Sequence, residues 1–102
     1  MGPNISWVVA PQRDQAMSND SESNLENNCL SILAFASTRS TWVSIASCVW
    51  KTGVSYDSVR QYMMIDEFGP AASRFHYDYR IRLRGARGGT TFYISAVSRG
   101  WA

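Results

Sequence analysis

The stretch TWVSIASCVWKTGVSYDSVRQYM, residues 41–63, decides what this chain can become. Its first half is ambiguous. Residues 41–52 (TWVSIASCVWKT) are rich in β-branched and aromatic side chains, which suit a strand. Ser44, Ser47 and Lys51, however, are spaced three and four apart, and that spacing puts them on one face of a helix. Trp42, Ile45, Ala46 and Val49 then form the opposite stripe, so the pattern predicts a helix over 41–52. Gly53 follows as a left-handed terminator. Ser55 is an N-cap, and Asp57 suits the first turn of the next helix. That helix is expected from Tyr56 to about Asp66, stopped by Glu67-Phe68-Gly69-Pro70.

Working outward, Ser23-x-x-Glu26 has the form of a capping box. Leu25, Cys29, Leu33 and Ala36, with Ile32 beside them, are spaced as one helical stripe, so a first helix is expected from Ser23 to near Ser37. Residues 38–40 are a connector. Residues 11–22 are polar and without period, and read as a loop. Ile5–Ala10 (ISWVVA) reads as a short strand ended by Pro11. On the other side, residues 73–84 alternate. Phe75, Tyr77, Tyr79, Ile81 and Leu83 share one face, and Arg74, His76, Asp78, Arg80, Arg82 and Arg84 share the other. Gly85–Gly89 reads as a flexible loop and Thr90–Val97 as a returning strand. The expected class is α+β: a short N-terminal strand, three helices and a C-terminal β-hairpin. Residues 1–22 would hold the strand and polar loop, and 23–102 the single compact domain.

At 102 residues the chain has room for one modest core. No apolar run reaches the roughly 20 residues a bilayer span needs, and the N-terminus lacks the basic opening of a signal peptide. These features predict a cytoplasmic protein. Cys29 and Cys48 lie in apolar segments and read as reduced core thiols. With one histidine and no ligand spacing, no metal site is expected, and no cofactor motif is present. Charge is uneven. Residues 1–70 carry four basic and seven acidic side chains, whereas residues 71–102 carry six arginines and one aspartate. A C-terminal third so rich in arginine points to an anionic partner.

The segment Cys48–Met63, CVWKTGVSYDSVRQYM, resembles the core of a helix-turn-helix. Val49 stands four before the turn glycine, Cys48, Val54, Val59 and Tyr62 take the inward positions, and Ser55-Tyr56-Asp57-Ser58 open the second helix. With a helix before and a hairpin after, residues 23–97 are similar to a winged helix-turn-helix, with 74–97 as the wing. Valine replaces the usual alanine before the turn, and the N-terminal strand is additional. The resemblance implies a recognition helix exposing Tyr56, Asp57, Ser58, Arg60, Gln61 and Met64. Arg60 suits guanine and Gln61 adenine. Arg74, Arg80, Arg82, Arg84 and Arg87 would grip phosphates.

The function expected is therefore nucleic-acid binding, to DNA ahead of RNA, in a small transcriptional regulator. Two other classes compete. His76, Asp78, Arg80 and Arg82 on one strand face could serve an RNA-cleaving enzyme, and Tyr79–Ser95 looks loosely like the basic strand pair of RelE-type toxins. A protein-interaction module is the third class. Four tryptophans are many for this size. Trp42 and Trp50 are expected to share a helical core face, and Trp101 is the candidate for a homodimer contact.

Overall fold

The structure, a computed structural model, describes residues 11–86 and 89–100, with side chains at 24–85 and 89–100. The strand expected at 5–10, Trp7, Arg87 and Trp101 lie outside the described residues. The order is α1 (Pro11–Ser37), β1 (Val43–Ser44), α2 (Ile45–Thr52), α3 (Tyr56–Met64), α4 (Gly69–Phe75), β2 (Tyr77–Ala86) and β3 (Gly89–Ser98). The α+β class is as expected, with four helices among the described residues instead of three and a three-stranded antiparallel sheet in the order β1-β3-β2.

Helix α1 begins at Pro11, not at Ser23. Proline at a first helical position surrenders only an N–H that would have no partner. Once 24–37 dock on the core, the helical nucleus exists and extension through Gln12, Arg13, Gln15 and Ala16 is easy. Ser23 is thus interior to the helix, and no capping box is needed there. The predicted stripe is the packing face: Cys29, Ile32, Leu33 and Ala36 are buried, with Leu25 against them. Hydroxyls close the C-terminus. Ser37 Oγ donates to the Ala34 carbonyl at 2.8 Å and Thr38 Oγ1 to Phe35 at 2.7 Å.

The helix expected over 41–52 is divided. Val43 and Ser44 pair with Ile94 and Tyr93 of β3. Ser44 then ends the strand and caps α2, its Oγ accepting from the Ser47 N–H at 3.2 Å. Both propensities in the segment were real, and one serine separates them. The shift changes the phase. Ile45 and Cys48 are buried, while Trp50, five residues past Ile45, is 83% exposed. Trp42 precedes the helix, so the two tryptophans do not share a core face.

The turn into α3 follows the sequence reading. Gly53 adopts φ 77°, and its N–H donates to the Val49 carbonyl at 3.0 Å. Thr52 Oγ1 donates to Cys48 and accepts from the Val54 N–H, which ties the turn down. A Cβ at Gly53 would meet nothing within 4 Å, so Gly53→Ala isolates backbone strain. It should destabilise by about 1–2 kcal/mol in urea unfolding, and no loss would show that the turn relaxes to negative φ.

The strand predicted to start at residue 73 starts at Tyr77. Helix α3 ends earlier than expected, at Met64 with Ile65 as its C-cap, and Gly69-Pro70 opens α4 instead, whose Ala71 and Ala72 are buried. His76 leaves that helix at φ 65° and turns the chain into β2. The period-two pattern at Arg74–His76 was therefore accidental. From Tyr77 onward it holds, and the β2–β3 register runs from Tyr77↔Ser98 to Ala86↔Gly89. Ile94 and Ala96 are buried, and Tyr79, Ile81 and Phe92 pack on the core. The helices cover this inner face. Phe68 sits at the centre, with Tyr62 edge-on at 6.2 Å and Tyr79 tilted at 5.7 Å.

Candidate nucleic-acid interface

Two surfaces hold most of the described residues singled out in the sequence. The first is the outward side of α3. Burial of Val59, Tyr62 and Met63 turns Tyr56, Asp57, Arg60, Gln61 and Met64 to solvent. Ser58 differs from expectation. It is half-buried, its N–H donates to Ser55 Oγ at 3.2 Å, and the two hydroxyls lie 2.9 Å apart. It serves the cap as well as facing outward.

The second surface is the outer face of the sheet. Directly opposed residues of an antiparallel pair share a face, so the register puts Arg80 with Ser95, Arg82 with Tyr93 and Arg84 with Thr91. Ser44 joins Tyr93 from the other side. Trp42, two residues before Ser44, reaches the arginines: the guanidinium carbons of Arg80 and Arg82 lie 5.2 and 5.1 Å from its ring centre. Thr41, Trp42, Arg82, Arg84 and Tyr93 line a shallow depression there, about 190 Å3 in volume.

Arg74 and His76 do not belong to this row. Arg74 is on α4, where its Nη1 donates to both carboxylate oxygens of Glu26, at 2.9 and 3.2 Å. His76 is the left-handed cap of α4, and its carbonyl accepts from the Arg99 N–H at 2.8 Å. Asp78, the acid of the outer face, lies 3.4 Å from Arg99 Nε. Among the described residues no carboxylate pairs with Arg80, Arg82 or Arg84. Their positive charge is therefore uncompensated locally, and their donors face water.

The far end of the hairpin extends past the helical layer. Leu83 points to the inner face beside Phe92 yet is 58% exposed. Arg84 stands on this projecting part. Arg80 and Arg82 stand further back, over Trp42.

Sequence reasoning missed Trp42 and Tyr93 as members of the basic face. The Tyr93 signal was available, since it alternates with Phe92 and Ile94. Trp42 was not recoverable, because its place depends on β1 pairing with a strand fifty residues away. Among the described residues no cluster of three or more His, Cys, Asp or Glu is placed to hold a metal. No described helix is long and apolar enough to cross a membrane. Comparison with known proteins returns nothing: no family model, no curated protein and no solved structure matches this chain.

Proposed function

We propose that the chain binds duplex nucleic acid, DNA above RNA, with α3 reading bases and the arginine hairpin holding phosphates. The observation that carries this reading is the arrangement around Gly53. A helix, a short strand, two helices joined through a left-handed glycine, and a hairpin whose last strand pairs with that short strand follow one another in an order that supports the resemblance to a winged helix-turn-helix. Helix α4 and the N-terminal part of α1, residues 11–22, are additions to it. Exposed Arg60 and Gln61 have the donors and acceptors to read guanine and adenine in a major groove. Arg80, Arg82 and Arg84 supply unpaired charge for the backbone, which fixes register without reading sequence. Electrostatic attraction of this kind is the larger part of non-specific affinity.

The test is binding to a random duplex at several salt concentrations. The wild type should bind at low salt and weaken steeply as salt rises. Replacing Arg80, Arg82 and Arg84 together by alanine should flatten the log–log salt slope by about 2–3, at about 0.9 for each phosphate no longer neutralised. An absence of binding at low salt, or an unchanged slope in the triple variant, sinks the duplex reading. Arg60→Ala with Gln61→Ala should narrow the difference between preferred and random sequences while leaving the slope nearly as it was.

A further inference from the structure

Phosphate gripping accounts for the arginines of the outer sheet face but not for the aromatics among them. A duplex keeps its bases stacked inside, so an indole and a phenol ring beside its backbone have nothing to stack on. Unpaired bases do offer their faces, to aromatic rings and to guanidinium planes alike. We propose that the outer face of the sheet, centred on Trp42, binds single-stranded nucleic acid. Bases stack on Trp42, Tyr93 and the arginine planes, and the phosphates run along Arg80, Arg82 and Arg84.

Three observations carry the inference. Arg80, Arg82 and Arg84 alternate along one strand, about 6.7 Å apart. That separation is comparable to the distance between successive phosphates of an extended single strand. Trp42 lies within 5.2 Å of Arg80 and 5.1 Å of Arg82. The ring holds both guanidiniums at the face while their N–H donors stay unpaired among the described residues. Thr41, Trp42, Arg82, Arg84 and Tyr93 line the depression, and the two hydroxyls beside two guanidiniums suit a phosphate next to a stacked base.

The position of this face separates it from α3. Helices cover the inner side of the sheet through Ile94 and Ala96, and the arginines stand on the other side. A strand lying across Trp42 therefore does not need Arg60 or Gln61. The inference rests on the nucleic-acid reading and shares its arginines, but it adds Trp42 and Tyr93 and does without α3, so the two can fail separately. Charge complementarity favours an anionic strand over a neutral partner, and the flat, ring-bearing surface favours nucleic acid over an acidic peptide.

The experiment measures fluorescence anisotropy of a labelled oligothymidylate, an abasic strand of equal length and a duplex, using the full chain. The wild type should bind the oligothymidylate more tightly than the abasic strand. Trp42→Ala should weaken single-strand binding by about 5- to 150-fold, the loss expected for one stacked base, and should leave duplex binding within a few-fold. Trp42→Phe, which keeps a ring, should recover most of the affinity. Retained duplex binding by Trp42→Ala also shows that the variant is folded. Arg60→Ala with Gln61→Ala should leave the single-strand affinity unchanged. The proposal is overturned if the abasic strand binds as tightly as the oligothymidylate, or if Trp42→Ala binds single strands like the wild type. It is also overturned if poly-glutamate displaces the oligonucleotide as effectively as unlabelled oligothymidylate does. Duplex binding without single-strand binding removes this inference alone, and binding to neither removes both.

Discussion

Phe68→Ala should destabilise the protein by about 3–5 kcal/mol, the usual range for truncating a fully buried phenylalanine. Phe68 has no exposed surface, and it sits where α3, α4 and β2 converge. Tyr62 meets it edge-on and Tyr79 packs against it at a tilt. Both partners are themselves held in place. Tyr62 Oη accepts from Asn28 Nδ2 of α1 at 3.0 Å, and Tyr79 Oη donates to Asp66 Oδ1 at 2.6 Å. These tethers restrain the neighbours from collapsing into the space left behind, and residual cavity volume is what raises the penalty above simple transfer. Against a total stability of about 5–15 kcal/mol, such a loss leaves much of the chain unfolded in mild urea. Equilibrium urea unfolding checks it. A loss under about 1 kcal/mol would show that the three elements do not meet over this ring.

A second large effect should appear at alkaline pH. Burial pushes the Cys29 thiol from 9.0 up to about 12, with the nearby carboxylates of Glu67 and Asp66 adding to the shift. Burial alone pushes Cys48 up to about 12. Burial and the hydrogen bond to Asp66 push Tyr79 upward as well. In the unfolded chain the thiols ionise near 9, while in the folded chain they hold their protons to about 12. Above pH 9 the unfolded state therefore binds fewer protons, and stability falls as pH rises. The loss approaches roughly 1.4 kcal/mol per pH unit for each thiol and levels off near 12. Below pH 9 these groups contribute no slope. Urea unfolding at pH 8, 10 and 11 should show a progressive loss, and Cys48→Ala should show a shallower dependence, by about one thiol's share. Equal stability at pH 8 and 11 would show that water reaches both thiols in the native state.

What could be read in advance follows the range of the interaction responsible. The helix-turn-helix resemblance implied that Cys48, Val54, Val59 and Tyr62 face inward, and all are buried. Their spacing is local, and their caps are local too: Ser55 with Ser58, Gly53 with Val49. The inner face of the hairpin was legible for the same reason, since a period of two needs only one strand. Arg74 was misplaced because alternation over three residues does not separate a strand from the end of a short helix. The signal that decides it is the buried pair Ala71 and Ala72 behind Pro70, together with the partner Glu26, which lies 48 residues away. The candidate surfaces divide the same way. Outward α3 followed from the helix-turn-helix resemblance, and the arginine row from strand phase. The addition of Trp42 and Tyr93 to that row required the sheet register.

The sequence by itself determined the α+β class, the glycine turn between two helices, the hairpin and the concentration of arginine on one strand face. Each depends on residue type and on spacing within a turn or a strand. Tertiary structure decided where residue 44 stops being strand and starts capping a helix, that 69–75 is helical, and that Trp50 is exposed while Trp42 lies against Arg80 and Arg82. Those outcomes depend on which distant surface each segment meets. The pairing of Val43 and Ser44 with β3 is two residues long and carries little propensity of its own. Its stability comes from the sheet already formed by β2 and β3, so β1 exists only in the folded molecule.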